Sequence, residues 1–312
     1  MILSFKIVNT KVCQLLQTSN VECTGYRIHH SSLFTLRSSF KLMQRYDIQK
    51  GGVGKSTTVV NVAASIGIRG QRVLCIDMDP QGNTTSGFGI RKKSVSVTVY
   101  DILMGKRRIT EGIIETAYKN VSVICSTSAL AGADIELVNL DNRSNRLKMQ
   151  LLTVKNDYDY IFIDCPPSLS LLTINALCAS DSVLIPLQCE YYSLEGLSQL
   201  VESIRRVKQH YNPNIDIDGI VFTMFDARLN LTNQVVAEVQ KHFPKKVYRT
   251  VIPRNVKLSE APSFGKPVIY YDKSSRGAEA YEHLAEEMLT RHGIKDITPK
   301  PVKKKLLGGI KV

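Results

Sequence analysis

No apolar run in this 312-residue chain approaches the roughly 18 residues needed to cross a bilayer, so a spanning helix is excluded. No two of its seven cysteines (Cys13, Cys23, Cys75, Cys125, Cys165, Cys178 and Cys189) form a C-x-x-C pair. A disulfide framework and a zinc or iron–sulfur site are therefore not encoded; Cys75 and Cys165 sit in strand-like apolar runs and read as reduced packing residues. Acidic residues are scarce at the two ends: residues 1–49 carry six Lys/Arg against Glu22 and Asp47, and residues 295–312 carry six Lys against Asp296. The arms thus hold +4 and +5 of the formal net charge of +13. Such charge favours polyanions, either nucleic acid or an acidic membrane face, although for Lys303–Lys305 a solvated tail is an equal alternative. With 43% hydrophobic residues, the chain can build one large domain that buries roughly 75% of its unfolded surface.

What is present is a glycine-rich, lysine-ended loop, Lys50-Gly51-Gly52-Val53-Gly54-Lys55-Ser56-Thr57, followed directly by an apolar helical pattern. Glycines let the backbone curl so that consecutive N–H groups aim at phosphate oxygens, and the following helix adds its positive end. Lys55 is placed for the β- and γ-phosphates of a nucleoside triphosphate, and the Ser56 hydroxyl for Mg²⁺. The strict phosphate-loop pattern asks for glycine where this chain has Gln49; a second lysine, Lys50, stands beside it. A glycine turn with two solvated lysines is the alternative reading of the loop alone.

Apolar runs alternate with helical patterns along the rest of the chain. Val73–Ile76, Val121–Cys125, Tyr160–Ile163, Val183–Leu187 and Ile217–Met224 read as strands buried on both faces. Thr57–Ile68, Leu130–Leu140, Ser144–Val154, Leu171–Ala179 and Leu194–His210 read as helices between them, with a late strand at Val247–Ile252 and a closing helix at Gly277–Arg291. The pattern predicts an α/β fold of the phosphate-loop NTPase type: a doubly wound, mainly parallel sheet with helices on both faces.

Carboxylates end two of the predicted strands. Asp164 closes Tyr160–Asp164 just before Cys165-Pro166-Pro167, which puts it at the carboxyl edge of the sheet, where it can steady Mg²⁺ through water. Asp77 and Asp79 end the preceding run, and Asp79 opens Asp79-Pro80-Gln81-Gly82-Asn83, 24 residues after Lys55. A carboxylate returned beside the γ-phosphate can orient or deprotonate a water for in-line attack, whereas Asp before Pro by itself marks only a turn.

These segments, together with Tyr160–Leu169, Glu190–Leu197 and Ile252–Ser263, resemble the ParA/Soj partitioning ATPases of the MinD/ParA superfamily from about Gln49 to Arg291. The resemblance implies a homodimer formed with ATP, in which Lys50 of each subunit reaches the phosphates bound by the other. It implies a catalytic set of Lys50, Lys55, Asp79 and Asp164, with Mg²⁺ near Ser56, Asp79 and Asp164, partly through water. Residues Lys50 to Thr57 would hold the nucleotide, and Pro253 and Asn255 would border its adenine. Arg228 and Lys257 match positions that contribute to non-specific DNA binding, with Arg254 a weaker candidate; each arginine could instead serve a surface ion pair. A ParB-type DNA-binding partner would stimulate hydrolysis of ATP to ADP and phosphate, in a cytoplasmic, nucleoid-associated protein without stable membrane insertion.

The amino-terminal segment departs from that family. Leu42–Gln49 is too polar for the central strand that should precede the loop, and Phe5–Asn9 looks more like such a strand although about forty residues separate it from the loop. Residues 1–48 are therefore read as an extension, a targeting peptide or, preferably, a frame or gene-model error. The ATPase domain is expected over 49–294 and a basic tail over 295–312. Two other functions compete: a DNA- or partner-binding scaffold that no longer hydrolyses ATP, and a MinD-like membrane-associated ATPase suggested by Lys303–Leu307. Gly308-Gly309 and the small apolar face speak against the latter.

Overall fold

The computed structural model describes residues 2–6, 52–190 and 192–299. The chain divides into two units, residues 1–7 with 49–312 and residues 8–48; the second lies wholly outside the described residues. Among its described residues the first unit has seven strands: β1 (Ile2–Lys6), β2 (Val73–Asp77), β3 (Ile113–Glu115), β4 (Val121–Ile124), β5 (Tyr160–Asp164), β6 (Ser182–Gln188) and β7 (Asp216–Thr223). Their order in the sheet is β3-β4-β2-β5-β1-β6-β7.

Strands β4, β2, β5, β6 and β7 run in one direction. Their near-continuous Val/Ile/Leu content follows from burial on both faces: every residue of β2 and β5 is buried. One cluster, including Leu74, Ile76, Ile161, Ile163 and Leu172, packs on one side of the sheet, and another, including Val59, Val62, Cys75, Phe162 and Leu284, packs on the other. Alternate residues of β2 and β5 belong to different clusters, as the period of two requires. The expected mainly parallel, two-sided α/β fold is thus observed.

β1 fills the slot between β5 and β6 but runs antiparallel to both, pairing Ile2 with Asp164 and Lys6 with Tyr160. Its chain direction therefore leads away from the carboxyl edge. The polar stretch Leu42–Gln49 and residues 7–9 lie outside the described residues.

Two predicted elements are corrected. Val247–Ile252 is not a regular strand; it touches β7 at Ile220–Val247, and Phe225 pairs with Pro253 just beyond it. The Arg249 and Thr250 N–H groups instead donate to the Glu287 carboxylate, which takes two donors out of the ladder. Leu130–Leu140 is broken into a 3₁₀ turn at Ser128–Gly132, one α-turn at Ala133–Glu136 and a second 3₁₀ turn at Leu137–Asn139. Gly132 sits at the break, where helix propensity is poor. The other predicted helices form at Lys55–Ile68, Arg146–Leu151, Leu171–Cys178, Ser193–His210 and Arg276–Arg291, and Asn230–His242 adds an unpredicted one. The first and last of these long helices are joined by Thr58 to Tyr281 (3.0 Å) and by the buried Arg69 guanidinium to Glu286 (2.6 Å).

Candidate functional site

The loop before Lys55–Ile68 has the conformation its glycines permit. Gly52 (φ 100°) and Gly54 (φ 85°) are both left-handed, and Gly54 caps the helix by accepting from the Thr58 N–H at 2.8 Å. A Cβ at Gly52 would meet no atom within 4 Å, so it is backbone angle and not crowding that calls for glycine there. The Thr223 hydroxyl at the end of β7 donates to the Val53 carbonyl at 2.9 Å and ties the loop to the sheet edge. No residue of the helix's own first turn is acidic, and Lys55, Ser56 and Thr57 are half-buried there at its positive end. Lys50 and Gly51 lie outside the described residues.

The carboxylates come from the ends of adjacent parallel strands, in the register that sets Asp77 beside Asp164. Asp77 is fully buried; its Oδ2 accepts from the Thr85 N–H and hydroxyl, each at 2.7 Å, and its Oδ1 from the Asp79 N–H at 3.2 Å. Burial, with the Asp164 charge behind it, raises the Asp77 pKa, and these hydrogen bonds oppose the rise. Asp164 is also fully buried, and its Oδ2 accepts from the Thr84 hydroxyl at 2.7 Å. Burial raises its pKa too, against the Ser56 and Thr84 hydroxyls that favour the charged form. Its Oδ1 has no hydrogen-bond partner among the described residues. Asp79 is 8% exposed, and its Oδ1 accepts from the Gln81 N–H at 2.9 Å, closing the turn that follows.

The fold therefore brings Lys55, Ser56, Asp79 and Asp164 to one place. The Cys165 thiol next to Asp164 registers this: its pKa is raised chiefly by burial and by Asp164, while the Lys55 charge lowers it and Asp79 raises it. Among the described residues no three His, Cys, Asp or Glu side chains gather to cage a metal. A hard cation at this edge must draw most of its oxygens from phosphate and water, with one hydroxyl and one carboxylate oxygen from the protein; that donor set suits Mg²⁺. The buried Oδ1 of Asp164, near Ser56 and without a hydrogen-bond partner among the described residues, fits such an ion.

Thr84 and Thr85 are the functional residues the sequence reading missed. They sit on the short helix Asn83–Gly87 and hold both strand-end carboxylates, and the signal was their place directly after Asp79–Asn83. Pro253 and Asn255 lie after Ile252, whose N–H bonds β7 at Phe222; the Asn255 side chain caps Val256–Glu260 by accepting from the Lys257 N–H at 2.9 Å. Lys257 pairs with Glu260 at 3.0 Å, and Arg254 is exposed. Arg228 is exposed and forks onto Asp226, with Nε donating at 2.9 Å and Nη2 at 2.6 Å. That pair holds the Asp226 pKa down at about 2.

An AAA domain family model matches residues 46–217. The sporulation initiation inhibitor protein Soj of Bacillus subtilis is 59% identical over 240 residues, covering 77% of this chain and 95% of Soj. The chain belongs to the Soj/ParA family of partitioning ATPases. The chromosome partitioning protein ParA of Myxococcus xanthus is 54% identical over 243 residues, covering 78% of this chain and 86% of that protein. Among solved structures, cobyrinic acid a,c-diamide synthase from Mycobacterium smegmatis with bound ATP analog and magnesium aligns with a TM-score of 0.69 and 31% identity, covering 81% of this chain and 96% of that one. The matches to Soj and ParA each include most of those proteins' own length, and the loop and the strand-end carboxylates fall within the residues 46–217 matched by the AAA domain model.

Proposed function

We propose that this chain binds Mg·ATP between the loop Lys50–Thr57 and the carboxylates Asp79 and Asp164, and hydrolyses it to ADP and phosphate in chromosome or plasmid segregation. The observation that carries this reading is the buried Asp164 carboxylate beside Ser56 at the helix head, one of whose oxygens has no hydrogen-bond partner among the described residues. Backbone N–H groups and Lys55 cradle the β- and γ-phosphates, and Asp164 and Ser56 hold the Mg²⁺, which supplies charge neutralisation on the phosphates. Asp79 orients the attacking water in the rim of the same edge. Pro253 and Asn255 border the adenine.

Lys50 reaches across a face-to-face dimer to the phosphates of the second copy, so that ATP controls association. The dimer coats DNA without base preference through Arg228 and Lys257, helped by Arg254, by contacts to phosphates. A ParB-type protein bound at a DNA site stimulates turnover, and the protein works in the cytoplasm on the nucleoid. Its domain is residues 49–294, with residues 295–312 as a basic tail and residues 1–48 as an atypical segment.

The test is magnesium-dependent phosphate release, with and without DNA, together with light scattering in the absence of nucleotide, with ATP and with a non-hydrolysable analogue. Release that disappears in Asp79→Ala, with doubling of mass under the analogue, is expected. Unchanged release in Asp79→Ala, or identical mass in all three states, overturns the reading. The antiparallel course of β1 favours a second reading, a scaffold that binds DNA or a partner without hydrolysis, because the strand does not deliver the chain to the loop at the carboxyl edge. Absence of any magnesium-dependent release decides for it.

A further inference from the structure

The turn that follows Asp79 is held from outside by a lysine that no part of the nucleotide site uses. The Lys92 ammonium donates to the Gln81 carbonyl, and the half-buried Lys92 stem lies across Gly82. Gly82 is left-handed (φ 61°), and a Cβ there would come within 2.6 Å of Lys92 Cε and 3.0 Å of the Ser126 carbonyl. On the inner side of the same residue, the Gln81 N–H donates to Asp79 Oδ1 at 2.9 Å, and the Gly82 N–H donates to the Asp79 carbonyl at 2.9 Å. Gln81 is therefore gripped at both ends: Asp79 holds its N–H and Lys92 its carbonyl. The contact forms one wall of a cleft of about 520 Å³ with no acidic lining residue, so the ammonium has the carbonyl and not a carboxylate as its partner there.

We propose that Lys92 is a positioning residue for hydrolysis, fixing the Asp79–Asn83 turn so that the Asp79 carboxylate stays aimed at the attacking water. This rests on the assignment of Asp79 made above. Hydrolysis and not nucleotide affinity should then depend on the ammonium, since its partner is the Gln81 carbonyl of the turn and not a residue of the phosphate-binding loop. A charge-assisted hydrogen bond at a partly exposed turn points to an effect of about fivefold on kcat.

The experiment measures steady-state phosphate release by the full chain carrying Lys92→Met, Lys92→Arg or Lys93→Met, with Asp79→Ala alongside and thermal unfolding of each. Lys92→Met should lower kcat about fivefold with KM for ATP within about 1.5-fold and an unchanged melting midpoint. Lys92→Arg should return to within about twofold of the parent, and Lys93→Met should match it. Lys92→Met with parental kcat, equal losses in kcat and nucleotide affinity, or an arginine variant no better than methionine overturns the proposal while leaving Asp79 in place. Parental release by Asp79→Ala overturns the Asp79 assignment and the positioning role together.

Discussion

At the amino edge of the sheet the Asp218 carboxylate has both oxygens engaged, whereas at the carboxyl edge Asp164 has one engaged and one without a partner among the described residues. Asp218 Oδ1 is 2.7 Å from His292 Nε2, its Oδ2 accepts from the Tyr248 hydroxyl at 2.6 Å, and Tyr160 OH lies 3.2 Å from His292 Nδ1. The Arg291 guanidinium lies over the Tyr248 ring, 3.9 Å from its centroid. Burial pushes Asp218 up, but His292, Tyr248 and Arg291 outweigh it, so its pKa ends below the usual carboxylate range. Burial above all pushes Asp77 and Asp164 the other way, with the Asp164 charge adding to the rise at Asp77 and the Asp79 charge to that at Asp164. The chain completes the first network by itself, and the network therefore serves stability. Among the described residues the second is incomplete, which is how sites built for an external charge differ from structural ion pairs.

The largest expected departure between the two edges is catalytic. Asp164→Asn keeps an acceptor for the Thr84 hydroxyl and removes the charge, so phosphate release should fall about a thousandfold. The same variant should melt a few degrees higher without nucleotide, since it relieves a buried like-charge pair. A lower melting midpoint would erase the distinction, because Asp164 would then be a stabilising group like Asp218.

Asp218→Ala should do the reverse. It removes the partner of the His292 Nε2 and of the Tyr248 hydroxyl, and unfolding by urea should show a loss of about 3 kcal/mol with turnover per folded molecule unchanged. A milder test uses pH. The folded pKa of Asp218 is depressed, so its contribution is fully present above the unfolded value of about 3.9 and is lost as pH falls through the folded one. The parent should therefore lose stability more steeply than Asp218→Asn as pH falls below about 4, measured by urea midpoints. Parallel slopes in the two proteins would show that Asp218 carries none of the acid sensitivity.

Much of the carboxyl edge was legible in the sequence, because a strand buried on both faces must be apolar until it ends and an acidic residue there marks the edge. Asp77 and Asp164 stand out for that reason. Thr84 and Thr85 did not, since hydroxyls after a Gly-Asn turn are common and only the folded-back helix Asn83–Gly87 puts them under the carboxylates. The amino-edge network was invisible: Tyr160, Asp218, Tyr248 and His292 are far apart in the chain and meet only when the last helix closes on the sheet. The segment Val247–Ile252 has strand composition, yet Glu287, 38 and 37 residues beyond Arg249 and Thr250, captures their N–H groups, a competition that no local pattern records. The direction of β1 was equally hidden, since a short apolar run pairs as well antiparallel as parallel.

The smallest expected effect sharpens the comparison by adding an ion pair that is neither buried nor part of the nucleotide site. Arg228 and Asp226 lie just past the carboxyl end of β7, and the arginine side chain is 88% exposed. Solvent screens such a pair, so Arg228→Ala should leave the melting midpoint of the protein unchanged. Asp226 cancels most of the arginine's charge toward a distant phosphate, but a fork already aligned on one oxyanion can exchange it for another at small cost. DNA affinity should fall about threefold in Arg228→Ala, with the slope of log affinity against log salt reduced by about one. Asp226→Asn, which frees the guanidinium, should raise affinity by a similar factor at low salt. Filter binding or anisotropy on DNA fragments of unrelated sequence, repeated at several salt concentrations, measures both. If neither variant moves the affinity or the slope, the pair belongs with Asp218 as a purely structural contact, although one placed on the edge where the chemistry occurs.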